Sequence, residues 1–148
     1  MSGLQDLYQT VILEEARERR GGDRYGEGGW SGHSHQVNPT CGDELTLGVR
    51  LDDDGRIAAI GWEGDGCSIS MASASLMTDL LEGRTVAEAL ELIAEFRRVM
   101  HSRGAEEPDP ERLGDAVALG GVSRYVMRVK CAMLGWVALE DALHRAEA

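Results

Sequence analysis

The sequence has few of the features that mark membrane or nucleic-acid-binding proteins. None of its apolar runs approaches the roughly 20 residues that a membrane-spanning helix needs, so we expect no membrane span. Only 15 basic side chains stand against 26 acidic ones, and Lys130 is the single lysine. The resulting net charge of −11 argues against binding to the phosphate backbone of a nucleic acid.

A full set of disulfides and an export signal are missing as well. Three cysteines cannot all pair with one another, and no C-x-x-C pair occurs. The first 20 residues, MSGLQDLYQTVILEEARERR, carry acids as well as arginines, unlike a secretory signal or an acid-poor transit peptide. We therefore expect a cytoplasmic protein, in which cysteines more often serve metal binding or thiol chemistry than disulfides.

The chain has the length and composition of one globular domain, residues 1–148. Hydrophobic residues make up 43% and charged residues 28%, and 148 residues can bury a core without covalent staples. Periodicity predicts both helices and strands. The predicted elements are a helix over 2–18 that Ser2 caps, a strand over 44–51, a returning strand over 56–63, a helix from Ser68 to Gly83, a helix from the capping box of Thr85 and Glu88 to Gly104, a loop with a short helical piece over 104–121, and a C-terminal helix around Val129–Val137.

Residues 21–36, GGDRYGEGGWSGHSHQ, interrupt this pattern. Six glycines and no apolar period predict a mobile loop with room for a short strand at its end. The dinucleotide-binding spacing G-x-G-x-x-G is absent, because Ser31 occupies the place of the last glycine. Nucleotide binding by this segment is therefore discarded.

Each of the three cysteines lies at the end of a predicted element. Cys41 precedes the first strand, Cys67 precedes the helix from Ser68, and Cys131 lies near the beginning of the C-terminal helix. The hairpin brings Cys41 close to the loop that carries Cys67. Backbone N–H groups and the helix dipole favour a thiolate at such ends. A lone cysteine usually fills small apolar space, but glycines frame two of these three, which favours a joint metal or nucleophile site.

A zinc ion would need one more ligand than the cysteines supply. Structural zinc takes four ligands, usually sulfur or imidazole, and accepts a carboxylate oxygen. Asp43 is the obvious fourth ligand, because Gly42 lets the backbone turn so that Cys41 and Asp43 face one ion. The C-x-D spacing is weak evidence by itself.

Histidines are the alternative ligands. His33 and His35 share one face if their segment is extended, although H-x-H in a glycine-rich stretch is more often exposed to solvent. His101 ends a predicted helix and fits a cap of the helix dipole, and His144 lies at the tail. The spacing alone leaves both ligand sets open.

Three motifs, NPTCGD, GDGCSISMASASLMT and RVKCAMLGW, resemble the cysteine motifs of the SufU family, relatives of the IscU and NifU iron-sulfur assembly scaffolds. The resemblance covers about residues 4–143, and the GDGCSISMASAS block is highly specific. Lys130 stands where the scaffold proteins carry a histidine, and residues 101–121 form an added segment; both features favour SufU over IscU. The stretch EARERRGGDRYGEGG departs from the family, because it lacks the usual proline-containing sequence after the first helix.

The resemblance implies an α+β fold of the IscU/NifU type, with helices packed on one face of a small antiparallel three-stranded sheet. The zinc ligands that it implies are Cys41, Asp43, Cys67 and Cys131. It implies a sulfurtransferase-like role in iron-sulfur cluster assembly, in which Cys41 accepts persulfide sulfur from a SufS-type, PLP-dependent cysteine desulfurase. A histidine of the desulfurase would replace Cys41 on zinc, and a downstream assembly scaffold would be a further partner. Arg128 matches a family arginine at the docking face.

Two other functions would use the same residues. An assembly scaffold would bind iron or a [2Fe-2S] cluster through the cysteines and Asp43, although the missing histidine next to Cys131 counts against it. A structural zinc module would bind another protein and take no part in sulfur transfer.

Overall fold

The computed structural model describes residues 3–147, and Ser2, the predicted cap of the first helix, lies outside these described residues. In chain order the elements are α1 (Gly3–Glu18), a 3-10 turn (Tyr25–Glu27), β1 (Gly32–Asn38), β2 (Asp43–Leu51), β3 (Ile57–Asp65), α2 (Ser68–Leu81), α3 (Val86–Met100), α4 (Pro110–Leu113), a 3-10 segment (Gly114–Arg124) and α5 (Val126–Glu147). The predicted hairpin and the predicted capping box of α3 are confirmed. No helix within this part of the chain is long and apolar enough to cross a membrane.

The three strands form one antiparallel sheet in the order β1-β2-β3. Side chains of a strand point alternately to its two faces, and on β2 Leu45, Leu47 and Val49 are buried while Glu44 is exposed. Helix α5 packs against β1 and β2 on the buried face, and α2 packs between α5 and α1. The expected α+β fold, with helices on one face of a three-stranded sheet, is confirmed.

The opposite face of the sheet is covered in part by the glycine-rich segment. Gly48 and Gly61 are cross-strand partners, and the indole of Trp30 lies on both, because a Cβ atom at either position would overlap the ring. Trp30 Nε1 donates a hydrogen bond to Tyr25 O at 2.8 Å, and the Arg50 guanidinium lies 4.9 Å from the ring centroid. The two glycines therefore form the surface on which the Trp30 ring packs.

The strand predicted at the end of residues 21–36 is present, and it extends to Asn38. The expected short strand at the end of a loop is seven residues long, begins at Gly32 and pairs with β2 along its whole length. Its inward side chains include Ser34 and Asn38, both buried and polar. Because these residues are not apolar, no hydrophobic period marks the strand in the sequence.

Helices α3 and α5 are joined by an aromatic stack and an ion pair. The rings of Phe96 and Trp136 are buried and stack with centroids 3.9 Å apart and an interplanar angle of 8°. Arg97 donates to both carboxylate oxygens of Glu140, at 2.7 and 3.0 Å. This hydrogen bonding holds the pKa of Glu140 below its ordinary value. The two contacts fix the position of α5 in the core.

The added segment between α3 and α5 is more regular than predicted. A loop with one short helical piece was expected, whereas α4 leads directly into the eleven-residue 3-10 segment. Leu113, Ala116 and Leu119 from this stretch are buried in the hydrophobic core. The segment is therefore packed structure that leads the chain into α5.

Replacing Gly61 by alanine tests the Trp30 contact. The new Cβ would lie 2.5 Å from the Trp30 ring, and the backbone at Gly61 is not left-handed, so the strain would be purely steric. We expect the free energy of unfolding to fall by about 1 to 3 kcal/mol, as for other overpacked sites, in urea denaturation. Gly26→Ala is the control, since nothing lies within 4 Å of its Cβ position. Equal stability of the two variants would contradict the contact.

Candidate metal centre

All four predicted ligands lie at one end of the sheet. Because β2 and β3 are antiparallel, the start of β2 lies beside the loop that leads from β3 into α2. Asp43 is the first residue of β2, and Cys67 is the N-cap of α2. Cys41 lies in the turn before β2, and Cys131 lies in the second turn of α5. The sheet register and the packing of α5 thus bring together residues that are far apart in sequence.

Three of the four predicted ligands form a compact donor group. Ligand atoms of Cys41, Asp43 and Cys131 all lie within 4.8 Å of one another, and the two Sγ atoms are 3.1 Å apart. Gly42 has a φ of 72°, a left-handed conformation that glycine adopts readily, so the predicted turn is present. Tetrahedral zinc with Zn–S bonds of about 2.3 Å separates its sulfur ligands by roughly 3.7 Å. The two sulfur atoms are closer than in a zinc-bound pair and would have to separate slightly, but the donor set of two thiols and a carboxylate is one that zinc accepts.

The carboxylate of Asp43 is completely buried and is bonded to the start of α2. Its Oδ1 accepts a hydrogen bond from the backbone N–H of Cys67 at 3.0 Å, and its Oδ2 accepts one from Ser70 Oγ at 2.7 Å. The side chain of Cys67 makes no capping hydrogen bond, so Asp43 satisfies this helix end from a neighbouring strand. Gly66 permits this approach, because a Cβ there would lie 2.7 Å from Asp43 Oδ1.

Cys67 lies beside the donor group and is not one of its three mutually close members. Its Sγ is 3.4 Å from Ser70 Oγ, and its side chain is partly exposed. It therefore shares Ser70 as a neighbour with Asp43. Its role as the fourth ligand remains a prediction.

Cys131 is the deepest of the three thiols. Its burial raises the pKa of the thiol above the ordinary value, and hydrogen bonds with Cys41 and Asp43 raise this pKa further. A bound divalent cation reverses this balance, because a coordinated thiol is deprotonated. Asn38, itself buried, directs its Nδ2 toward Cys131 Sγ at 3.8 Å. This buried position suits a sulfur that would hold a metal. It is poorly suited to a sulfur that would react with a second protein.

An open cavity of about 330 Å³ adjoins the donor group. Its walls are Thr40, Cys41, Cys67, Met127 and Arg128. Cys131 is not among the lining residues, so Cys41 is the member of the donor group that also lines the cavity. The cavity gives a second protein access to one thiol of the group.

The cavity adjoins an exposed stretch at the start of α5, to which its lining residues Met127 and Arg128 belong. Tyr125, Val126 and Met127 precede or begin α5 and are each more than 60% exposed. Arg128 and Lys130 are exposed on the same turn of the chain, and neither forms an ion pair with any of the described residues. The predicted docking residue Arg128 thus lies at the mouth of the cysteine cavity.

Comparisons with known proteins decide the family. The sequence matches the NifU-like N-terminal domain over residues 7–144. The chain belongs to this family. It is 39% identical over 146 residues to the zinc-dependent sulfurtransferase SufU of Bacillus subtilis. This alignment covers 99% of this chain and 95% of that protein. It is 36% identical over 146 residues to the iron-sulfur cluster assembly scaffold protein IscU of Streptococcus pyogenes, covering 99% and 88%.

Solved structures agree with the sequence comparison. FiSufU of Fervidobacterium islandicum, a candidate iron-sulfur cluster assembly scaffold protein for the SUF system, superposes with a TM-score of 0.77 at 32% identity. The superposition covers 90% of this chain and 93% of that structure. The family resemblance predicted from the three cysteine motifs is confirmed.

The alternative histidine ligands lie outside the donor group of this NifU-like domain. His33 and His35 alternate with buried Ser34 on β1, so they lie on the outer face of the sheet, away from the buried Asp43. His35 contacts Thr46 Oγ1 through Nδ1 at 2.7 Å and Glu44 Oε1 through Nε2 at 3.1 Å.

The two remaining histidines are exposed residues of the helical layer. His101 is the C-cap of α3, as its position in the sequence suggests, and His144 lies in the last turn of α5. Within the described chain, the donor group that could hold a metal contains no histidine.

Sequence reasoning missed three residues that shape the centre. Ser70 and Asn38 supply buried hydrogen-bond donors, and Gly66 makes room for the Asp43 carboxylate. Ser70 could have been found, because it stands three residues after the N-cap Cys67, where a capping-box side chain is expected. Asn38 and Gly66 act through contacts between strands and helices that no local spacing reveals.

Gly66→Ala should weaken metal binding by this NifU-like domain. The added Cβ would displace Asp43 Oδ1 and break its hydrogen bond from the Cys67 N–H. We expect zinc affinity to fall about 10-fold or more, as for loss of other contacts that orient a ligand, in competition with a chromogenic chelator. Gly121→Ala adds the same atom to open space and should bind zinc like the wild type. Indistinguishable affinities would contradict the prediction that the space at Gly66 is needed to place the Asp43 carboxylate for metal binding.

Proposed function

We propose that this protein is a zinc-dependent sulfur acceptor that takes persulfide sulfur from a SufS-type, PLP-dependent cysteine desulfurase for iron-sulfur cluster assembly. Cys41 is the acceptor thiolate. The observation that carries this proposal is the double placement of Cys41, which belongs to the donor group and also lines the open cavity. The B. subtilis relative, a zinc-dependent sulfurtransferase at 39% identity, supports the same assignment.

The residues that would hold zinc are Cys41, Asp43, Cys67 and Cys131. A bound zinc ion keeps cysteine sulfur deprotonated and carries no redox chemistry of its own. The buried pair of Asp43 and Cys131 anchors the site from the sheet and from α5. The partly exposed Cys41 is free to change its bonding when a partner occupies the cavity, because its turn faces open space.

The transfer step balances without any further reactant. The persulfide of the desulfurase enters the cavity, and the Cys41 thiolate attacks its outer sulfur. The sulfur-sulfur bond within the partner's persulfide breaks, and the partner's cysteine leaves as a thiolate. Cys41 then carries the persulfide. Cys131 does not line the cavity, so the incoming persulfide meets Cys41 first.

Arg128 would guide the partner to the cavity. The molecule as a whole carries a net charge of −11, so exposed cations at the cavity mouth mark this face. Charge complementarity between surfaces mainly raises the rate and specificity of encounter. The exposed apolar side chains of Tyr125, Val126 and Met127 would supply the area that is desolvated on docking.

The Cys41→Ala variant separates sulfur transfer from folding. The wild-type protein, purified aerobically without a tag, should contain zinc, show no visible chromophore and accelerate sulfide release by the desulfurase from cysteine with a reductant. Cys41→Ala should remain folded and fail to accelerate the desulfurase, because the accepting sulfur is gone. Mass spectrometry of the wild type after one turnover should show one added sulfur atom on Cys41.

Thr40→Ala is the matched control, since Thr40 lines the same cavity next to Cys41 and offers no thiol. It should accelerate the desulfurase like the wild type. If Cys41→Ala still accelerates the desulfurase, Cys41 is not the sulfur acceptor, and the structural zinc module remains as the function. Bound iron with a cluster spectrum, without acceleration, would instead assign the same residues to the scaffold function that the S. pyogenes relative is named for.

Arg128→Ala tests the docking role. We expect the concentration of this protein needed for half-maximal desulfurase acceleration to rise about 5- to 10-fold, the range for loss of an interface arginine, with unchanged zinc content. Arg124→Ala removes the same charge but lines a different cavity, beside Tyr8 and Val117. A similar rise for both variants would indicate a general charge effect and contradict a specific role for Arg128.

A further inference from the structure

The hydroxyl of Ser70 contacts two candidate ligands, Asp43 at the start of β2 and Cys67 at the start of α2. It donates to Asp43 Oδ2 at 2.7 Å and lies 3.4 Å from Cys67 Sγ. Ser70 is 1% exposed, so water does not compete for this bond. It stands in the first turn of α2, three residues after Cys67, and the helix backbone fixes its direction.

Both oxygens of Asp43 are already engaged in hydrogen bonds. Oδ1 accepts from the Cys67 N–H and Oδ2 accepts from Ser70, so the rotation of the carboxylate is fixed by two donors on the same helix turn. A hydroxyl has one hydrogen, and the shorter contact assigns it to Asp43. The lone pairs of Ser70 Oγ then remain to accept a hydrogen bond from the Cys67 thiol. A carboxylate held in this way can coordinate a metal ion only through the lone pair that remains on each oxygen.

The other buried serines of α2 serve different purposes. Ser73 donates to Ala132 O on α5, and Ser75 donates to Glu15 on α1 and accepts from the backbone of Arg20. These bonds join helices to one another. Among the serines of this helix, Ser70 alone bonds to a residue of the donor group.

We propose that Ser70 is a positioning residue that sets the orientation of the Asp43 carboxylate as a metal ligand and thereby the strength with which the centre retains its ion. The inference rests on the metal site of the proposed function and does not depend on the partner or on sulfur transfer. Ligand carboxylates in metal sites are oriented by such hydrogen bonds, and loss of one typically costs 10- to 100-fold in metal affinity.

The Ser70→Ala variant tests this role in the full-length protein. We expect its zinc affinity, from competition with a chromogenic chelator, to fall about 10- to 100-fold. The visible absorption of the cobalt(II)-substituted protein should also change, because the carboxylate geometry around the ion is altered. Ser75→Ala is the matched control: it removes the same buried hydroxyl from the same helix and should lower stability without changing zinc affinity or the cobalt spectrum.

A double-mutant comparison shows whether Ser70 acts through Asp43. In an Asp43→Ala background, Ser70→Ala should cause no further loss of zinc affinity, because the ligand that it orients is gone. An equal loss in both backgrounds, or a Ser70→Ala protein with wild-type affinity and cobalt spectrum, would overturn the inference. A wild-type protein that binds zinc but does not accelerate the desulfurase would overturn the sulfur-acceptor function and leave the Ser70 result standing. A wild-type protein that binds no zinc would overturn both.

Discussion

The buried carboxylate of Asp43 constrains the geometry of the whole site, because a carboxylate removed from water must be compensated by hydrogen bonds or by a cation. The compensation comes from the start of α2, through the Cys67 N–H and the Ser70 hydroxyl. This contact fixes the distance between β2 and α2 and so the position of Cys67. It also requires a glycine at position 66, where a side chain would occupy the space of the carboxylate. One buried carboxylate therefore constrains three neighbouring positions, Gly66, Cys67 and Ser70.

The thiols of the candidate metal centre differ in how deeply they are buried. Cys131 is fully buried on α5, beneath Cys41, whose sulfur reaches both the donor group and the cavity. A buried thiol is disfavoured as a thiolate unless a cation or hydrogen bonds compensate it, which suits a residue that keeps a metal in place. A partly exposed thiol at a cavity wall can meet another protein. The two cysteines, identical in chemistry, therefore differ in what can reach them: Cys41 is open to the cavity and Cys131 is not.

The placement of α5 depends on contacts remote from the site. The stack of Phe96 on Trp136 and the paired hydrogen bonds of Arg97 with Glu140 hold α5 against α3. The segment before α5 packs Leu113 and Leu119 into the core and leads into the start of α5, where Met127 and Arg128 line the cavity. The surface that a partner would meet is thus an extension of the packed core.

The hairpin, the capped start of α3 and the helix that carries Cys131 follow from period, turn residues and capping spacing, which are local properties of the chain. The motifs around Cys41, Cys67 and Cys131 were also sufficient to identify the family and to propose Asp43 as a ligand. Only a short strand is expected at the end of residues 21–36, and the length of β1 is not evident from the sequence, because its buried positions hold Ser34 and Asn38 instead of apolar residues.

The hydrogen bond from Ser70 to Asp43 joins residues 27 positions apart, and the contact between Cys41 and Cys131 spans 90. Contacts of this kind depend on sheet register and helix packing, because those two features set which distant side chains share a volume. Local sequence motifs can therefore point to candidate metal ligands, while the residues that contact those candidates from distant elements become visible only in the assembled fold.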